Sequence, residues 1–202
     1  MHKSITRAGA ITFGALLLAS AGSAVAAADE VDNGNVNINV EVTDRYPSGV
    51  LALTVAEDNT ALTEVDTQDP LVREFTGTLP TVTVTDTRTD VPDSPWYVLG
   101  TASAFTSGAN SISADHLGWS PALAGDYGSA IEVGGDIEGV VDDANSEGLA
   151  YADGELLYLN ADQVETYDQG AWSANAALNL KVNAADVTSG SYTSVLTLSL
   201  FE

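Results

Sequence analysis

Cysteine is absent from the 202 residues, and 6 basic side chains stand against 29 acidic ones. Without a thiol there is no disulfide, no thiolate zinc site, no iron–sulfur cluster and no cysteine nucleophile. The bases Lys3, Arg7, Arg45, Arg73, Arg88 and Lys181 are too scattered to line a groove, and a net charge of -23 repels a phosphate backbone. Nucleic acid is therefore excluded as an expected partner. Histidine is almost as scarce as cysteine. Apart from His2 there is only His116, in Ser113-Ala114-Asp115-His116-Leu117, and no nucleophile motif accompanies it. The twenty-residue apolar run of a membrane span is also missing beyond residue 28.

What is present begins with an address. Lys3 and Arg7 precede a small, apolar stretch from Ala8 to Ala28 that contains no acid, the layout of a secretory signal peptide. Ala24-Val25-Ala26-Ala27-Ala28 offers small-x-small cleavage registers after Ala26 or Ala28. Residues 1–28 are expected to be removed, leaving 29–202 as one secreted domain. This segment takes two bases and no acid with it, so the domain left behind is more acidic still.

Period-2 alternation then dominates. Asn35 to Val42 and Gly49 to Val55 alternate polar and apolar residues, as do Phe75-Thr76-Gly77-Thr78-Leu79 and Thr81 to Asp86. Pro80 between the last two predicts a strand edge, a strand start or a bulge. Trp96-Tyr97-Val98-Leu99-Gly100 is a further strand, and Ala176 to Val182 and Ser194 to Phe201 form a hairpin-like or sandwich-spanning pair. The nearest helical candidate, Leu156 to Tyr167, is only weakly periodic. The expected class is all-β, an antiparallel sandwich of immunoglobulin-like or flattened-barrel form. Twelve acids lie between Asp126 and Asp168, and no base occurs between Arg88 and Lys181. That stretch predicts a long acidic connection whose self-repulsion makes it the most mobile part of the domain.

Few residues suggest chemistry. Pairs of carboxylates occur by abundance alone, so no enzyme activity, catalytic residue or cofactor is expected. Asp142-Asp143 near Glu138 and Glu147, or Asp29 and Asp32 with Asn33 and Asn35, supply oxygen ligands but miss the spacing of a calcium loop. A solvated acidic face is the expected reading, with no metal. The aromatics are the remaining handle. Trp96, Tyr97, Trp119 and Trp172 are the candidate ligand-binding residues, because an exposed ring can stack on a sugar while its polar edge hydrogen-bonds. The competing reading is core packing, which alternation favours for Trp96, since one of Trp96 and Tyr97 must point inward.

Four segments carry a family resemblance: Leu79-Pro80-Thr81-Val82-Thr83-Val84-Thr85-Asp86-Thr87-Arg88, Trp96 to Gly100, Leu117-Gly118-Trp119-Ser120-Pro121, and Gly190 to Leu200. In order and spacing they resemble the WxL-type domain of Gram-positive cell-surface proteins, in its actinobacterial form, over most of residues 70–202. The motif positions are Trp96, Tyr97 and Val98, then Leu198, Ser199 and Leu200. Val98 stands where the family has leucine, and Leu198 where it has a second tryptophan. The resemblance implies noncovalent attachment to cell-wall peptidoglycan and complexes with other surface proteins. It needs a secretory signal and no membrane span after cleavage.

Overall fold

A computed structural model describes residues 49–88, 95–161 and 170–202. The expected signal peptide, the strand at Asn35 to Val42, and Asp29, Asp32, Asn33 and Asn35 lie outside the described residues. Eleven strands run in the order β1 Leu51–Val55, β2 Thr63–Val65, β3 Val72–Asp86, β4 Trp96–Ala102, β5 Phe105–Ser107, β6 Asn110–Ile112, β7 Leu117–Leu123, β8 Ile131–Val133, β9 Glu155–Asn160, β10 Ala171–Asn183 and β11 Leu196–Phe201. Two short 3-10 turns, Ala114–His116 and Gly148–Ala150, are the only helical elements among the described residues.

All pairings are antiparallel. One sheet has the order β1-β3-β10-β7, with β2 on the same side of β3 as β1, and the other has the order β11-β4-β9-β8. β5 and β6 form a separate two-stranded ribbon. The two large sheets face each other, and the chain crosses between them from β3 to β4, from β4 through the β5–β6 ribbon to β7, and from β7 to β8, β9 to β10 and β10 to β11. The last two strands therefore span the sandwich and are not a hairpin.

Alternation decides which side chains enter the core. β10 buries Trp172, Ala174, Ala176, Leu178, Leu180 and Val182 at every second position, and β3 buries Leu79, Val82 and Val84. The parity of β3 changes at Pro80 because the register with β10 shifts between Ala174 and Ala176, two residues of β3 standing against one of β10. Pro80 thus occupies a bulge inside one 15-residue strand. On its other side it falls between the stretches of β3 that pair with β1 and with β2, where a missing N–H leaves no ladder bond unmade.

Aromatic residues join the sheets. Trp96 of β4 meets Trp172 of β10 at 5.8 Å between ring centroids and Tyr158 of β9 edge-on at 5.3 Å. The Tyr158 hydroxyl donates across the core to the carbonyls of Val82 and Trp172, at 3.3 and 3.2 Å. Trp119 of β7 reaches the opposite sheet at Gly100, where a Cβ would sit 2.6 Å from its ring. Only glycine admits the ring there.

The acidic connection is not simply a loop. Between β7 and β10 it contributes β8, β9 and the buried Ile131, Leu149, Leu157 and Tyr158, while the described acids of this stretch stay at the surface or half-buried. Leu156 to Asn160, part of the weakly periodic helix candidate, is strand, and its alternation is obscured by a bulge that turns both Leu157 and Tyr158 inward. Residues 162–169 lie outside the described residues. Each described base is ion-paired: Arg73 with Glu64, Lys181 with Asp142, and Arg88 with Asp86 and Glu202.

Trp96→Ala should lower stability by about 3–5 kcal/mol, the usual cost of truncating a buried tryptophan, as read by denaturant unfolding. Burial pushes the Tyr158 phenol above its ordinary 10.0. The unfolded chain then ionises this group first, so the stability is whole below pH 10 and falls as pH rises above it. Tyr158→Phe should flatten that alkaline loss in a series of melting curves, and an unchanged slope would assign the loss to other groups.

Candidate ligand-binding face

The four candidate aromatics separate. Trp96, Trp119 and Trp172 are 0, 1 and 1% exposed and present no ring face to solvent. Stacking of these three on a ligand is corrected to core packing, since each sits at an inward position of its strand. Their indole N–H groups have no hydrogen-bond partner, consistent with an apolar surrounding. Tyr97, one residue along β4 from Trp96, points the other way and is 39% exposed.

Register supplies the neighbour of Tyr97. β11 lies beside β4 with Phe201 opposite Tyr97, Ser199 opposite Leu99 and Thr197 opposite Thr101. The rings of Tyr97 and Phe201 stack at 5.2 Å with 15° between planes, and Phe201 is 42% exposed. On the other flank of Tyr97 is Leu159 of β9, followed by Glu132 of β8. Phe201, Tyr97, Leu159 and Glu132 thus form one row across the outer face of the four-stranded sheet. Ser199, Leu99 and Leu156 form the next. Gly154, at φ 85°, brings the Tyr151–Gly154 turn against Leu99, with a Cβ there lying 3.0 Å from the leucine.

The two motif segments, about a hundred residues apart in sequence, are hydrogen-bonded neighbours. Leu200 is opposite Val98 and Leu198 opposite Gly100. Trp96, Val98, Leu198 and Leu200 face inward, and Tyr97 and Ser199 face outward. Phe201 escaped the sequence reading because nothing near it marks it as more than a strand end. Its significance comes from the register that sets it beside Tyr97.

The face is apolar along its middle and hydroxyl-bearing at Thr197, Ser199 and Tyr97. Small molecules are held in concavities, whereas an exposed sheet face suits an extended partner. Elsewhere, His116 Nδ1 lies 2.7 Å from Asp115 Oδ1, and no hydroxyl hydrogen-bonds its ring among the described residues. Asp142 is held by Lys181 Nζ at 2.9 Å, and Asp143 accepts from the Asn145 backbone at 2.9 Å. No group of three or more metal-ligating side chains occurs among the described residues. Calcium should therefore raise the melting temperature no further than sodium chloride at matched ionic strength, because charge screening acts through either salt. A rise specific to calcium would identify a ligand cage.

No protein-family model, no curated protein and no solved structure matches this chain.

Proposed function

We propose that the chain is a secreted, non-enzymatic surface protein, attached noncovalently to cell-wall peptidoglycan through the outer face of its four-stranded sheet. The observation that carries this reading is the stacked, exposed Tyr97–Phe201 pair on a face with hydroxyls beside it. The aliphatic face of a sugar ring packs on such rings while its hydroxyls reach Ser199, Thr197 and the Tyr97 phenol. The resemblance to the WxL-type domain supports the same ligand class, and the apolar leader at residues 8–28 supports export.

Electrostatics narrows the mode of contact. A chain of net charge -23 gains nothing from bulk attraction to a wall bearing phosphates and carboxylates. Attachment thus rests on short-range stacking and hydrogen bonding, and moderate salt strengthens it by screening repulsion. A second reading, a subunit of a surface complex assembled by β-edge pairing, draws on the uncharged edge of β11.

Purified wall sacculi should retain the protein in a sedimentation assay, with or without chelator. Tyr97→Ala and Phe201→Ala should each weaken retention by about tenfold, the scale of one lost contact worth about 1.4 kcal/mol. Ser111→Ala, in β6, should leave retention unchanged. Absence of the unaltered protein from the sacculi pellet would overturn the proposal, as would full retention of the Tyr97/Phe201 double variant.

A further inference from the structure

We infer that β11 is a self-pairing edge, and that two copies of this chain join through it into one continuous eight-stranded sheet. This rests on the strand's own geometry and not on the wall-binding reading. β11 ends the order β11-β4-β9-β8, and among the described residues only β4 pairs with it. The Ser103 N–H donates to the Val195 carbonyl at 2.9 Å. By the alternation of an antiparallel ladder, residues 195, 197, 199 and 201 then turn their backbone groups toward β4. Leu196, Leu198 and Leu200 turn theirs toward the open edge.

No described residue guards that edge. Natural edge strands are blunted by charge, proline or bulges, yet Leu196–Phe201 contains no charged residue and no proline, and its pairing with β4 is regular. The charge that follows, Glu202, is drawn to Arg88, whose guanidinium is also held by Asp86 at 2.8 Å. Val195 and Phe201, 67 and 42% exposed, mark the two ends of the edge as apolar.

The occupant follows from symmetry. A two-fold axis perpendicular to the sheet keeps inward residues inward, so even positions must oppose even positions. With the axis at Leu198, Leu196 opposes Leu200 and Leu198 opposes itself on the core side. On the outer side Val195 opposes Phe201, and Thr197 opposes Ser199. The same register sets the open backbone groups of Leu196, Leu198 and Leu200 against one another as hydrogen-bonded pairs. Each exposed apolar end covers its counterpart, and Glu202 falls opposite Ser194, so no like charges meet. The two Tyr97–Phe201 platforms end up on one continuous face. Opposing this, two bodies of charge -23 repel, so pairing strengthens with ionic strength.

The lack of cysteine makes the register directly testable, because each substitution introduces the only thiol. Thr197 and Ser199 become a non-hydrogen-bonded pair across the axis, with Cα atoms about 4.5 Å apart, within disulfide range. Full chains carrying Thr197→Cys and Ser199→Cys are mixed and oxidised, with Ser111→Cys as the exposed control. The expected product is the 197–199 heterodimer, several-fold above either homodimer and above the control, and increasing from about 0.1 to about 1 M sodium chloride. Sedimentation of the unaltered chain should show a dimer rising over the same range. Homodimers of Ser199→Cys matching the mixture would overturn the register. A monomer at every salt concentration, or crosslinking no greater than the control's, would overturn the pairing itself. Equal pairing by Tyr97→Ala, which faces away from the edge, separates this result from the fate of the wall-binding proposal.

Discussion

The fold depends on large aromatic side chains that close the gap between two sheets. Trp96 and Tyr158 from one sheet meet Trp172 from the other, and Trp119 crosses to rest on Gly100. Each such ring buries about 150–250 Å², which at about 25 cal/mol per Å² amounts to roughly 4–6 kcal/mol as an upper bound. Three unpaired indole N–H groups cost about 1–3 kcal/mol each, so burial prevails at every one of these sites. Tyr158 adds direction, because its hydroxyl binds main-chain carbonyls of two adjacent strands in the facing sheet.

Charge is partitioned by the same alternation that builds the core. Most acids lie at outward positions and in turns, the exception being Asp86, buried at the end of β3 against Arg88, and Arg73, Arg88 and Lys181 are each committed to a carboxylate. Lys181 is held charged chiefly by its hydrogen bond to Asp142, and the bidentate contact with Asp86 does the same for Arg88. Bases so engaged leave little positive potential for recruiting an anionic partner. The outer face of the four-stranded sheet carries the exposed, stacked Tyr97–Phe201 pair. Beside it, among the described residues, lies the open edge of β11. The strand that supplies Phe201 to the platform is the last in its sheet.

The acidic connection illustrates how composition and topology compete. Twelve acids without a base suggest a repelling loop, yet Ile131, Leu149, Leu157 and Tyr158 recur among them at intervals sufficient to anchor it. Hydrophobic burial at a few positions outweighs a diffuse repulsion that solvent screens. The resulting strands complete the sheet on which the candidate face lies.

Period-2 alternation in the sequence determined the all-β class, the positions of β1, β3, β4, β10 and β11, and that one of Trp96 and Tyr97 turns inward. Pro80 stood open as an edge, a strand start or a bulge until the register with β10 decided it. Side-chain parity and the missing proline N–H are local, being properties of a few consecutive residues. The short β2, β5, β6 and β8 left too few residues for a periodic signal. Trp119 and Trp172 stood as candidate ligand residues because nothing local distinguishes a buried ring from an exposed one. Only the tertiary structure decided that β10 and β11 enter different sheets, that the segments around Trp96 and Leu198 are neighbours, and that Phe201 stacks on Tyr97. Each depends on register between strands far apart in the chain, and register is set by the shared core, which no single segment encodes.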